Sequence, residues 1–174
     1  MNSTPESLAD EPVVVRGGFL RRKLVGPVIG FLKQGLTPGE VARAIGAGAV
    51  CGLFPFLGAT TALGLAIGFL FRLNTPVIQA VNYLLSPVQL VMIPVFVRSG
   101  AWILGADVSR FTVGGMVRAF NAQPFLDFLS QFGRAGLFAL AAWTIAVPLI
   151  FSVAYWISRP LVGRLAARVE GGAA

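Results

Sequence analysis

Within an apolar run, Gln79, Asn82, Ser86 and Gln89 follow one another at spacings of three, four and three. At 100° per residue of helix these side chains fall inside an arc of about 80° and form one polar stripe. Amides and a hydroxyl give and take hydrogen bonds; they are not acids, bases or nucleophiles at neutral pH. Two roles fit such a stripe: hydrogen bonds that tie one membrane helix to another, or the wall of a hydrated path.

Groups able to do harder chemistry are scarce around it. The chain has no His and a single Cys, Cys51, which excludes a His proton shuttle, a Cys/His metal site and an internal disulfide. Between the first 12 residues and the C-terminal tail the acids are Glu40, Asp107 and Asp127. Helix capping explains Glu40, a solvated interface the two aspartates, and burial as a small helix residue Cys51. No catalytic residue, metal site or cofactor is therefore expected, and the chain reads as a non-enzyme.

Composition says what solvates these residues. Of the 174 residues, 56% are hydrophobic and 12% are charged, where ordinary globular chains carry about 25% charged residues. Fourteen Lys and Arg against seven acids give a net charge of +7. The cations sit at the ends of the uncharged runs 44–71, 73–97 and 135–158 rather than along one helix face. Cations so placed are membrane anchors, and they leave little charge to neutralise phosphates of a nucleic acid. Membrane lipids are the expected partners, and no nucleic acid is.

The elements follow from local signals. Residues 1–15 read as a disordered arm whose Glu6, Asp10 and Glu11 differ from the basic start of a secretory signal. Residues 16–170 read as one membrane domain and 171–174 as a tail. After Arg16 and Arg21-Arg22-Lys23, the stretch LVGPVIGFLK is too short to span and suits the interface. Thr37-Pro38-Gly39-Glu40 is a capping box that starts a helix. That helix breaks at Pro55 and Gly58 and resumes through Thr60 and Thr61 to Phe71. Arms of about 24 and 20 Å fall short of the roughly 30 Å hydrocarbon layer, so a re-entrant hairpin is predicted. Ala44, Gly48 and Gly52 on one arm, and Thr60, Gly64 and Gly68 on the other, predict that the arms pack on each other.

Past Arg72-Leu73-Asn74, Thr75 is the expected cap and Pro76 the first turn of an apolar stretch interrupted at Ser86-Pro87 and at Pro94. Residues 106–134 regain charge. Val113, Met116, Val117 and Phe120, then Phe125, Phe128, Leu129 and Phe132, repeat helical spacing on either side of Gln123-Pro124. This pattern suits an interfacial amphipathic helix or a lid. The uncharged run 135–158, about 36 Å of helix, is the clearest transmembrane segment. Trp143, Tyr155 and Trp156 are its expected belt residues, Pro148 its kink and Pro160 its end. The predicted fold class is an all-α membrane protein: a broken, re-entrant helical hairpin, transmembrane helices and an interfacial amphipathic helix. Ten basic residues share a side with both termini, and Arg98, Arg110, Arg118 and Arg134 lie opposite, if the hairpin returns to its own side. A single crossing by 44–71 gives the same split, so the break at Pro55 to Gly58 is what favours two crossings over three.

The run IGAGAVCGLFPFLGATTALGLAIGFLFRLNTP, followed by NYLLSPVQ, resembles the small prokaryotic membrane family called domain of unknown function two thousand and sixty-two. The likeness covers residues 37–105. It rests on the capped start at Thr37-Pro38, the Gly-rich helix ending in Phe, the turn at Pro55 and Gly58, and the Arg72-Leu73-Asn74 junction. The family's Asn-Pro-x-Thr signature stands here as Ser86-Pro87-Val88-Gln89. The resemblance implies an integral, multi-pass protein of the inner membrane and brings no reaction with it. Broken hairpin helices are also similar in outline to lipid-scrambling and small-solute carriers of the DedA type, at the level of fold alone.

Two functions are expected from these residues. One is passive transport or lipid translocation along a path lined by Pro55, Gly58, Thr60, Thr61, Asn74, Gln79, Asn82, Ser86, Pro87 and Gln89. No carboxylate lies in the uncharged runs to couple that movement to protons. The alternative is a non-catalytic scaffold or accessory subunit whose small-residue faces, Gly48 and Gly52 with Gly64 and Gly68, bind another membrane protein or a second copy.

Overall fold

The computed structural model describes Gly30, residues 35–106 and residues 112–171, and among these it is all-helical. The N-terminal arm, the rest of LVGPVIGFLK with Lys33, Asp107, Arg110 and the last three residues lie outside the described residues. Five helices follow: α1 (Pro38–Gly52), α2 (Thr60–Leu70), α3 (Thr75–Ile103), α4 (Val113–Ala122) and α5 (Phe125–Gly171).

α1 starts where its box requires. The Thr37 hydroxyl oxygen accepts from the Glu40 N–H at 3.3 Å, and the Glu40 carboxylate accepts from the Thr37 N–H at 2.8 Å. Those hydrogen bonds, the backbone one foremost, hold the Glu40 carboxyl below its ordinary value near 4.5. Protonation in acid therefore loosens this helix start. The buried residues of α1, at 41, 42, 44 and 46–52, are all Ala, Gly, Val or Cys, and Ile45 packs partly buried against the same core. The helix ends because Pro55 cannot continue it, and Gly58, at φ 85°, turns the chain back.

α2 closes in a Schellman motif: the Leu73 N–H donates to the Gly68 carbonyl at 2.9 Å and the Arg72 N–H to that of Phe69 at 3.3 Å. The left-handed residue there is Arg72, at φ 51°, whereas the matching position after α3 is Gly105, at φ 66°. Arg72→Gly is expected to stabilise the protein by about 1 kcal/mol, or about 2 to 4 °C in a detergent melt, because glycine adopts this conformation without the Cβ penalty.

α3 is capped by Asn74, whose Oδ1 accepts from the Val77 N–H at 3.1 Å. This corrects the expected cap at Thr75 by one residue: Asn74 is extended, and Thr75 is already helical. Pro87 and Pro94 stay inside one 29-residue helix rather than interrupting it. Each proline removes a single ladder bond, and packing on both sides of it holds the rest.

The same reason overturns the expected end at Pro160. α5 runs through Pro148 and Pro160 for 47 residues, anchored beyond Pro160 by Val162, which is buried with Val41, Ala44, Val77 and Ile78. The Phe125 to Phe132 piece is likewise the first turns of α5 and not a separate interfacial helix. What does break the chain is Gln123, extended at φ −132° and ψ 157° ahead of Pro124.

α1 lies between α3 and α5. Successive contacts of Gly48 with Ile78 and Val81, then of Gly52 with Asn82 and Leu85, run α1 parallel to the first half of α3. Gly46 against Phe151, and Val50 against Trp143, run α1 antiparallel to α5. Gly64 meets Ile78 and Gln79, and Gly68 meets Thr75 and Ile78. Both small-residue stripes therefore seat on α3, which corrects the expectation that the two arms use them against each other. A second apolar cluster, Ile93, Phe96, Val97, Ala139 and Ala142 with Leu53 and Trp143 against it, joins the far halves of α3 and α5 beyond the hairpin.

α3 and the Phe132–Ala167 stretch of α5 are long and apolar enough to cross a membrane. Their apolar windows are 28% and 11% buried, so most of this hydrocarbon surface faces outward instead of into a core. Phe69 and Trp102 are 90% and 84% exposed.

Candidate functional site

Among the described residues, Gln79, Asn82, Gln89 and Trp143 make their hydrogen bonds around the turn between α1 and α2. A helix that ends inside the protein leaves carbonyls without donors, and here two other helices supply them. The Gln89 amide of α3 donates to the Phe54 carbonyl at 2.6 Å, and the Trp143 indole of α5 donates to the Val50 carbonyl at 3.2 Å. The Phe54 ring meets the Trp143 indole edge-on, with centroids 4.9 Å apart.

On the α2 side the Gln79 amide donates to the Thr61 carbonyl at 2.9 Å, and its own oxygen accepts from the Asn82 amide at 3.1 Å. The Ser86 hydroxyl turns back to the Asn82 carbonyl at 3.3 Å. The Thr61 and Tyr83 hydroxyls lie 3.4 Å apart. Asn82 and Gln89 are 1% and 4% exposed. Among the described residues, no buried side-chain nitrogen or oxygen lacks a partner.

The structure thus brings together Pro55, Thr60, Thr61, Gln79, Asn82, Ser86 and Gln89, the first two buried. Gly58 sits exposed at the tip. Asn74 is not with them: it caps α3 at the other end of α2, about 16 Å of helix away. Pro87 is exposed, on a face of α3 that turns away from the amides.

Sequence reasoning missed Trp143, Tyr83 and the Phe54 carbonyl. Trp143, expected in an interfacial belt, is an internal cap instead. The available signal was an indole N–H in the middle of an uncharged run, which needs an acceptor when buried. The Arg159 guanidinium lies 5.9 and 6.0 Å from the Tyr155 and Trp156 ring centroids.

The charges separate to the two ends of the bundle. Val41, Leu73 and Val162 share one apolar cluster, so Arg43, Arg72, Arg159 and Arg164, all exposed, belong to the hairpin's open end. Arg98 and Arg134 are exposed at the end where Gly100 meets Phe138. No group of His, Cys, Asp and Glu able to hold a metal occurs among the described residues. The site can exchange hydrogen bonds and bind by shape.

One family model, described as "Uncharacterized protein conserved in bacteria (DUF2062)", matches residues 28–169. No curated protein and no solved structure matches the chain.

Proposed function

The chain belongs to the DUF2062 family of bacterial proteins, and from that premise we propose that it is a multi-pass inner-membrane protein that lets lipids cross the bilayer passively. The hairpin of α1 and α2 is re-entrant, α3 and α5 span, and both termini lie on the cytoplasmic side with the larger share of Arg and Lys.

The observation that carries this reading is where the turn meets α3. Gln89, which holds the Phe54 carbonyl, is the middle residue of Thr75–Ile103. A hairpin whose apex reaches the midpoint of a spanning helix sets backbone polar groups at half depth. Those groups are tolerated there because side chains of α3 and α5 satisfy them. Of α1, α2, α3 and α5, the last two alone continue beyond the apex, so of these four helices one leaflet meets all and the other two. Of the polar groups there, the paired Thr61 and Tyr83 hydroxyls lie exposed, where they can meet a lipid headgroup and lower the cost of bringing it through hydrocarbon. Movement of this kind needs no catalysis.

Reconstitution into phosphatidylethanolamine and phosphatidylglycerol vesicles tests this. Lipids carrying a fluorescent acyl chain and sitting in the inner leaflet are expected to become accessible to an external quencher faster than in protein-free vesicles; equal rates overturn the reading.

The saturated hydrogen bonding of the amide stripe supports a second reading, a non-catalytic scaffold whose polar residues serve as glue. Photocrosslinking in native membranes separates the two. A single abundant protein adduct favours the scaffold, and lipid adducts near Tyr83 favour lipid movement.

A further inference from the structure

A second stripe of α3, about a quarter-turn round the helix from the amides, consists of Pro76, Ala80, Tyr83, Pro87, Leu90, Pro94 and Arg98. At 100° per residue it occupies an arc of about 80°. All are exposed except Pro94, which is half-buried; Tyr83 is 62% and Leu90 45% exposed. Proline has no N–H, so Pro87 takes the helical donor from the Tyr83 carbonyl and Pro94 takes it from the Leu90 carbonyl.

Among the described residues no side chain replaces those donors. The Ser86 hydroxyl serves the Asn82 carbonyl, one residue short, and the Tyr83 hydroxyl faces Thr61. The outward face of α3 thus carries two carbonyls that have lost their helical N–H donor, about 10 Å apart along the axis, with an arginine about 12 Å further on. Carbonyls in that state are costly against hydrocarbon. A visitor that brings its own donors can serve them.

Resting on the reading of passive lipid movement, we infer that this stripe is the headgroup track, and that it favours headgroups with N–H or O–H donors. The ammonium of phosphatidylethanolamine and the hydroxyls of phosphatidylglycerol can donate to the Tyr83 and Leu90 carbonyls in turn, and the Arg98 guanidinium receives the phosphate at the end. The trimethylammonium of phosphatidylcholine has no donor and gains nothing from either step. The amide stripe of Gln79, Asn82, Ser86 and Gln89 then holds the hairpin in place beside the track.

The test compares lipids with the same fluorescent chain and either an ethanolamine or a choline headgroup in reconstituted vesicles. The wild-type protein is expected to move the ethanolamine lipid about tenfold faster, the ratio that one additional net hydrogen bond gives. In Pro87→Ala, Pro94→Ala and the double variant the restored N–H groups close the ladder onto both carbonyls. The double variant is expected to move the two lipids at one rate, each single variant to fall between, and all three to melt no lower than wild type. A melting point that holds or rises rules out misfolding as the cause.

Wild-type movement that ignores the headgroup overturns the track and leaves passive lipid movement standing, as does selectivity that survives in the double variant. No movement above protein-free vesicles overturns both. A wild-type dimer in detergent that the double variant dissociates would show that a second copy covers the stripe, and it too overturns the track.

Discussion

Gly100→Ala is expected to separate α3 from α5. A Cβ built at Gly100 overlaps the Phe138 carbonyl oxygen and comes within 2.5 Å of its carbonyl carbon and 2.9 Å of its Cα. All three obstacles are backbone of the facing helix, so no rotamer change relieves them; the helices themselves must move. Such overpacking destabilises by about 3 kcal/mol, well above the roughly 1 kcal/mol that alanine contributes inside a helix. The same substitution at Gly163 of α5, where a Cβ meets nothing within 4 Å, is expected to raise stability by about 0.5 to 1 kcal/mol. Thermal melts of the two variants in one detergent check both signs; a Gly100→Ala protein that melts with the wild type refutes the close crossing.

Gln89→Leu is expected to release the apex of the hairpin. Leucine fills nearly the same volume but leaves the Phe54 carbonyl, which now accepts at 2.6 Å, without a donor. An orphaned buried acceptor costs about 1 to 3 kcal/mol. The native Cys51 reports the result, since it lies fully buried in the last turn of α1 and reacts only when that turn opens. Its alkylation by a membrane-permeant maleimide is expected to speed by about tenfold or more. Trp143→Phe removes the donor to Val50 and should act in the same direction. If Cys51 is as slow in both variants as in wild type, the two side chains do not hold the turn.

These expectations depend on contacts between segments far apart in the chain, and that is where reading the sequence fell short. The start of α1 was legible because a capping box is complete within Thr37 to Glu40. The break at Pro55 and Gly58 was legible because proline and glycine act on their own backbone. Asn74 was displaced by one residue in favour of Thr75, since both side chains can cap and only the backbone conformation chooses. Pro160 misled for the opposite reason. A proline weakens a helix locally, and the burial of Val162 against α1, more than a hundred residues away in sequence, carries the helix through it.

The sequence by itself determined the helical character, the long apolar stretches, the break at Pro55 and Gly58 and the existence of one amide stripe, because periodicity, composition and caps are local properties. Only the tertiary structure decided what those features touch. It seated both glycine stripes on α3 and turned Trp143 from an expected belt residue into a cap for Val50. It also set Gln89 on the Phe54 carbonyl and left the proline face of α3 outward. A stripe records which residues share a side of one helix, but its partner is chosen by a competition among all helices for the same close approach and the same unsatisfied carbonyls, and that competition is not written in any single segment.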